Sequence, residues 1–190
     1  MSTLSELIAK HGEPNKANVE WLSLLLSEWQ LVADLLFADL VLWVPSKEGD
    51  FVAVGHARPS SAATIFFRDI TGETIKKEWL PIAKQAFESG EIAILKASDS
   101  SAGLPTKLSA IPVRRGSTAQ EAGVPIALIT RHTNIADSRI PNKLQINYVN
   151  CGNELLAMIA EGSFPDFSTP TGPRRGAPRA NDGLLRLDVD

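Results

Sequence analysis

The stretch LVLWVPSKEGDFVAVGHA, residues 40–57, decides the fold. Two runs rich in β-branched and aromatic residues, Leu40–Val44 and Phe51–Ala57, flank the polar, turn-prone Pro45–Asp50. That is the pattern of two antiparallel strands joined by a hairpin connection. Alternation puts Val41 and Trp43 on one face of the first strand, and Val54, His56 and Arg58 on one face of the second. Upstream the period changes to a helix's. Over Ala17–Phe37, Leu22, Leu25, Leu26, Trp29, Ala33 and Leu36 recur at helical spacing, against a polar stripe of Glu20, Ser23, Ser27, Gln30 and Asp34. A short helix over Thr3–Lys10 precedes it; Thr3 and Glu6 have capping-box spacing and Gly12 supplies a stop.

Downstream, residues 63–67 (ATIFF) read as a third strand. Pro81 to Gly90 reads as a helix, since proline suits a first helical turn. Residues 91–95 form a fourth strand, and 98–105 a loop. Residues 106–115 and 123–133 form the fifth and sixth strands. A last helix spans about Pro141–Glu161, where Leu144, Tyr148, Cys151, Leu155 and Met158 step by four and three. Such a seam suits a partner helix or the domain's own sheet. Hairpin-connected strands between terminal helices predict an α+β domain: an antiparallel sheet of about six strands with the long N- and C-terminal helices packed on one face.

Residues 1–162 are the expected domain. Residues 163–182, rich in Pro, Gly, Ser and Thr, read as a linker in which Arg174, Arg175 and Arg179 are solvated rather than a binding patch. Residues 183–190 alternate apolar and polar like the opening strand of another domain.

Composition narrows the function classes. The 190 residues are 44% hydrophobic and 22% charged with a net charge of −3, which argues against broad nucleic-acid or anionic-membrane binding. Trp21–Val44 is apolar enough to suggest a membrane span, but Glu28, Gln30, Asp34 and Asp39 interrupt it. The N-terminus has no signal-peptide pattern. A single cysteine, Cys151, gives no disulfide framework and suits a reducing cytoplasm. No nucleophile elbow or phosphate-cradling glycine loop occurs. His11, His56 and His132 lack the exposed dimerisation-helix setting of a phosphoacceptor. His56, His132 and Cys151 come singly from separate elements, so no metal site is expected.

The element order, with PIAKQAFESGEIAIL, LSAIPVRR and GVPIALIT, resembles the GAF domain, a small-molecule sensor module. More specific are EWQLVADLLFADLVLWV (Glu28–Val44), ARPS (Ala57–Ser60), LITRHT (Leu128–Thr133), AEGSFPD (Ala160–Asp166) and PRANDGLLRLDVD (Pro178–Asp190). Together they resemble the N-terminal region of actinobacterial cytosolic sensor histidine kinases of the PdtaS type. That resemblance implies a signal-input domain in a cytoplasmic two-component kinase, followed by a PAS domain that residues 183–190 would begin, then phosphoacceptor and ATP-binding segments. ATP and magnesium would belong to those segments, and a response regulator would be the partner of the whole. No catalytic residue is expected within the chain. Some members carry cysteines at the positions of Ala53 and Ala57; alanine at both argues against thiol- or metal-based sensing there.

GAF domains hold ligands against the open face of the sheet. The candidate ligand residues are therefore Trp43, His56, Arg58, Arg131 and His132. A pairing of Arg58 with Arg131 would suit an anionic, nucleotide-like ligand. The long helices are the expected homodimer surface. The alternative is a stand-alone cytosolic ligand-binding or interaction domain without a kinase, and the reading frame beyond Asp190 distinguishes the two.

Overall fold

Asn15 starts the long helix by accepting a hydrogen bond from the backbone N–H of Asn18, and Phe37, in the left-handed conformation at φ 50°, ends it. That reversal turns the chain straight into the strand at Asp39. The structure, a computed structural model, describes residues 4–12, 15–96, 98–99, 103–116, 123–136 and 141–165. The described elements are α1 (Leu4–His11), α2 (Lys16–Leu36), β1 (Asp39–Pro45), β2 (Phe51–Ala57), α3 (Leu80–Ser89), β3 (Ala93–Ile94), β4 (Thr106–Val113), β5 (Ala127–Asn134) and α4 (Lys143–Glu161). The sheet order is β2-β1-β5-β4-β3, and every neighbouring pair is antiparallel. This is the expected α+β architecture.

The sheet has five strands, not six. Residues 63–67 are irregular because their polar groups find a different partner. The Asp39 carboxylate accepts the Ile65 backbone N–H at 2.8 Å and the Thr64 hydroxyl, while Thr64 also turns back to Phe66. A backbone satisfied by a buried carboxylate has no need of a strand ladder. The β-branched and aromatic residues that suggested a strand, Ile65 and Phe66, instead enter the core side by side.

Two hydrophobic cores lie on opposite faces of the sheet. On one face, Leu40, Leu42, Val44, Ile111, Val113 and Ile129 pack beneath α1, α2 and α4. The helices press close. At Gly152 on α4 an added Cβ would lie 2.7 Å from Leu36 Cγ, and at Gly55 on β2 one would lie 2.8 Å from Leu26 Cδ2. The buried residues of α4 are Gly152, Leu156, Ile159 and Ala160. The predicted seam sits beside that contact line: Cys151 and Leu155 are half-buried, Leu144 and Met158 exposed. On the other face, Val41, Trp43, Ala53, Leu108, Ala110 and Leu128 are covered by α3 and the irregular segment 58–79. We call these the helix face and the cap face.

A β-bulge decides which residues reach the cap face. Leu42 pairs with Gly55 but Trp43 pairs with Ala53, leaving Val54 as the extra residue. Simple alternation across the strand therefore fails. Val54 lies in the helix-face core, while His56, opposite Val41, turns to the cap face. The expected sharing of one face by Val54 and His56 is overturned by that one residue. Gly55 takes the bulge where α2 leaves no room for a side chain.

The linker and the 183–190 strand lie outside the described residues, apart from Ser163, Phe164 and Pro165. Among the described residues no helix is long and apolar enough to cross a membrane.

Candidate functional site

The cap face is apolar except for a polar cluster at its centre. Asp39 opens β1 and is 1% exposed. It pairs in register with His132 on β5, and Thr130, two residues earlier, pairs with Val41. Thr130 Oγ1 accepts the indole N–H of Trp43 at 2.7 Å and stands 2.9 Å from His132 Nε2. The His132 ring is fully buried, and desolvation pushes its pKa down to about 3. It is therefore a neutral imidazole at neutral pH.

His56 reaches the same cluster from the far side. Its side chain is 1% exposed; Nε2 lies 3.5 Å from Asp39 Oδ1 and Nδ1 lies 3.7 Å from Asp69 Oδ1. These separations are ion-pair distances and not hydrogen bonds, and both His56 nitrogens and His132 Nδ1 are buried without a hydrogen-bond partner among the described residues. Burial pushes the Asp69 carboxyl up. Hydrogen bonds from the Thr71 side chain and backbone, with the charges of His56 and Arg58, outweigh that and hold it below its ordinary value.

Aromatic rings close the cluster from above. Phe66 stands edge-on between the two imidazoles, 5.0 Å from His56 and 4.9 Å from His132. Trp79 lies 4.6 Å from His132 and donates its indole N–H to Asp99 at 2.8 Å. Beside Phe66 and Trp79 a cavity of about 240 Å³ opens, with Trp43 and Ile65 at its base and Phe67, Arg68, Glu73 and Lys76 around its mouth, where Arg68 is ion-paired with Glu73 at 2.9 Å. Phe67 is 89% exposed there. Mostly apolar walls with a few charged groups at the rim are the make-up of a small-molecule site. Among the described residues no group of three or more His, Cys, Asp or Glu is placed to hold a metal ion.

Three of the five expected residues, Trp43, His56 and His132, thus meet on the cap face. The arginines do not pair. Arg131 pairs across the sheet with Leu40 on the helix face, and its guanidinium donates to Asn153 Oδ1 on α4 at 2.8 Å. Arg58 follows β2 on the far edge strand, where its charge acts on Asp69. Adjacent strand residues point oppositely, so Arg131 and His132 could not share a face. Sequence reasoning missed Asp39, Phe66, Trp79 and Thr130. Asp39 left a signal, a lone carboxylate inside an apolar run. Phe66 and Trp79 left none, because irregular chain carries them there.

A five-stranded antiparallel sheet, terminal helices on one face and an irregular cap with a polar-centred core on the other define a GAF-type sensor module. Comparison with known proteins makes this specific. The family model described as "Histidine kinase PdtaS, GAF domain" matches residues 4–152, and the chain belongs to that family. It is 36% identical over 193 residues to the sensor histidine kinase PdtaS of Mycolicibacterium smegmatis, covering 99% of this chain and 37% of that one. Against the sensor histidine kinase PdtaS of Mycobacterium tuberculosis it is 36% identical over 196 residues, covering 100% of this chain and 37% of the other. The chain therefore spans 37% of the length of these curated relatives. Among solved structures it is similar to the "sensor region of a sensor histidine kinase", with a TM-score of 0.70 and 32% identity, covering 87% of this chain and 56% of that one.

Proposed function

We propose that this chain is the signal-input region of a two-component sensor histidine kinase that autophosphorylates on histidine and passes the phosphoryl group to a response regulator. One observation carries the reading: the chain aligns over nearly its whole length with relatives named sensor histidine kinases while spanning only 37% of them. In this reading ATP, magnesium and the phosphoacceptor belong to the remaining length. The region's work is to shift an equilibrium in the kinase by binding, or by dimerising, differently in two states.

The cap face is the proposed point of entry for the signal. Its cavity adjoins Trp43 and Trp79, the latter in contact with His132, so an occupant there would bear on the buried polar cluster. The proposed ligand is flat and nucleotide-like: it would stack on the exposed Phe67, with Lys76 as the cation at the mouth, since Arg68 is already paired with Glu73. The proposed output is the α2–α4 pair, and homodimerisation would use the half-exposed seam of α4. The test is autophosphorylation of the kinase that carries this region, with and without residues 4–165. A several-fold change in rate is expected. An unchanged rate, in a deletion that still binds ATP, contradicts the proposal.

A further inference from the structure

Arg131 holds a positive charge on the helix face that no carboxylate among the described residues answers with an ion pair. Its Nε donates to Thr133 Oγ1 at 3.1 Å and one Nη to Asn153 Oδ1 at 2.8 Å. A guanidinium has five N–H donors, so the rest of the fork is left over. Burial lowers the Arg131 pKa, and no carboxylate among the described residues forms an ion pair with it. Removing a charge from water without a counter-charge is costly.

The guanidinium faces a cavity of about 270 Å³ between α4 and the β5-β4-β3 side of the sheet. Register explains its lining. Ser109 lies opposite both Arg131 and Ile94, and Lys107 lies opposite Thr133, so these side chains share one face. Lys107 adds a second cation, and Ser109 and Thr133 add hydroxyls. Among the described residues none of the lining is acidic. At the outer wall Ile92 and Ile94 remain 42% and 57% exposed, giving the cavity an apolar side as well as a cationic one.

We propose that this cavity is a second ligand site, separate from the cap face, which binds a small organic anion. A phosphate or carboxylate head would sit on Arg131 and Lys107, with the hydroxyls of Ser109 and Thr133 as further donors. An apolar body would lie on Ile92 and Ile94. The volume is just under the range typical of drug-sized ligands, so the ligand is a small one. Occupancy would tie β4 and β5 to α4 through Asn153, which already holds the other side of the guanidinium. The inference stands on this geometry and not on the signal-input reading, because binding is read on the chain itself and kinase output is not needed.

The test uses the 190-residue chain at fixed ionic strength, titrated with phenyl phosphate, benzoate, inorganic phosphate and benzyl alcohol. Thermal stability and backbone amide NMR shifts are followed together. Phenyl phosphate and benzoate are expected to stabilise saturably. Inorganic phosphate is expected to bind about tenfold or more weakly, and the uncharged alcohol not measurably. Amide shifts should centre on residues 107–109, 131–133 and 153. Arg131→Gln is expected to abolish binding. Lys107→Ala, at an exposed position, is expected to weaken it roughly tenfold. Unchanged binding in Lys107→Ala, shifts confined to the cap face, or no saturable binding of either organic anion would overturn the proposal.

Discussion

The two faces of one sheet are built by different rules. The helix face is a close-packed apolar contact of Leu40, Leu42, Val44, Ile111 and Ile129 with α2 and α4, tight enough to require glycine at Gly55 and Gly152. The cap face has comparable apolar bulk but buries Asp39, Thr130, His56 and His132 within it, under a segment without regular structure. Buried polar groups with incomplete partners do less for stability than apolar ones of the same size. Asp39, Thr130 and the two imidazoles lie on the cap face, while the helix face holds the partly buried Arg131 beside α4.

Substitutions can break that comparison, and the largest effect is expected from the cap. Phe66→Ala removes the ring between the two imidazoles and should cost roughly 4 kcal/mol in a denaturant titration. A loss under about 1 kcal/mol would mean the cap is not packed as described. Next comes the helix face. Gly152→Val drives a side chain into Leu36 and should cost roughly 3 kcal/mol, more than any gain in helix propensity returns. Asp39→Ala leaves the Ile65 N–H without its acceptor and should cost about 2–3 kcal/mol. It should also speed hydrogen exchange of Ile65 selectively, which Gly152→Val should not.

Acid should sharpen the contrast further. His132 in the folded chain titrates near 3, below the ordinary 6.5 of an unfolded histidine. Between those values the unfolded state binds the extra proton, so stability falls as pH is lowered from about 6.5 toward 3. The slope contributed by His132 is at most about 1.4 kcal/mol per pH unit. His132→Leu should remove that contribution. If the stability–pH slopes of the variant and the parent chain match through this window, His132 is not the buried neutral group described.

Much of this was legible in the sequence, and the failures have physical causes. Hydrophobic period located α2, β1, β2, α3 and α4, and hairpin-linked strands between terminal helices gave the layer order. Residues 63–67 misled because a β-branched and aromatic run can be buried in irregular chain anchored by a carboxylate as well as in a ladder. His56 and Val54 misled because a bulge is a one-residue event that no period detects, and only the space under α2 at Gly55 reveals it. Alternation puts Val41 and Trp43 on one face, where both are found. His132 was legible only as a strand-end residue together with Arg131, and alternation separates those two. The supposed pairing of Arg58 with Arg131 failed because it needed knowledge of strand order, with β1 lying between β2 and β5.

The central claim of the proposed function is that the cap face is where the kinase's signal enters, distinct from the apolar helix-face core and from the anion site proposed beside α4. It is tested most directly by two matched variants in the kinase that carries this region. Thr130→Val removes the acceptor of Trp43 and the neighbour of His132, and Val113→Ala opens a hole in the helix-face core. Each should cost about 2 kcal/mol. Autophosphorylation is measured at a temperature where both variants are fully folded. The account predicts a several-fold change in rate for Thr130→Val and a rate close to the parent's for Val113→Ala. Equal rates in the two variants, whether both unchanged or both shifted together, would contradict it.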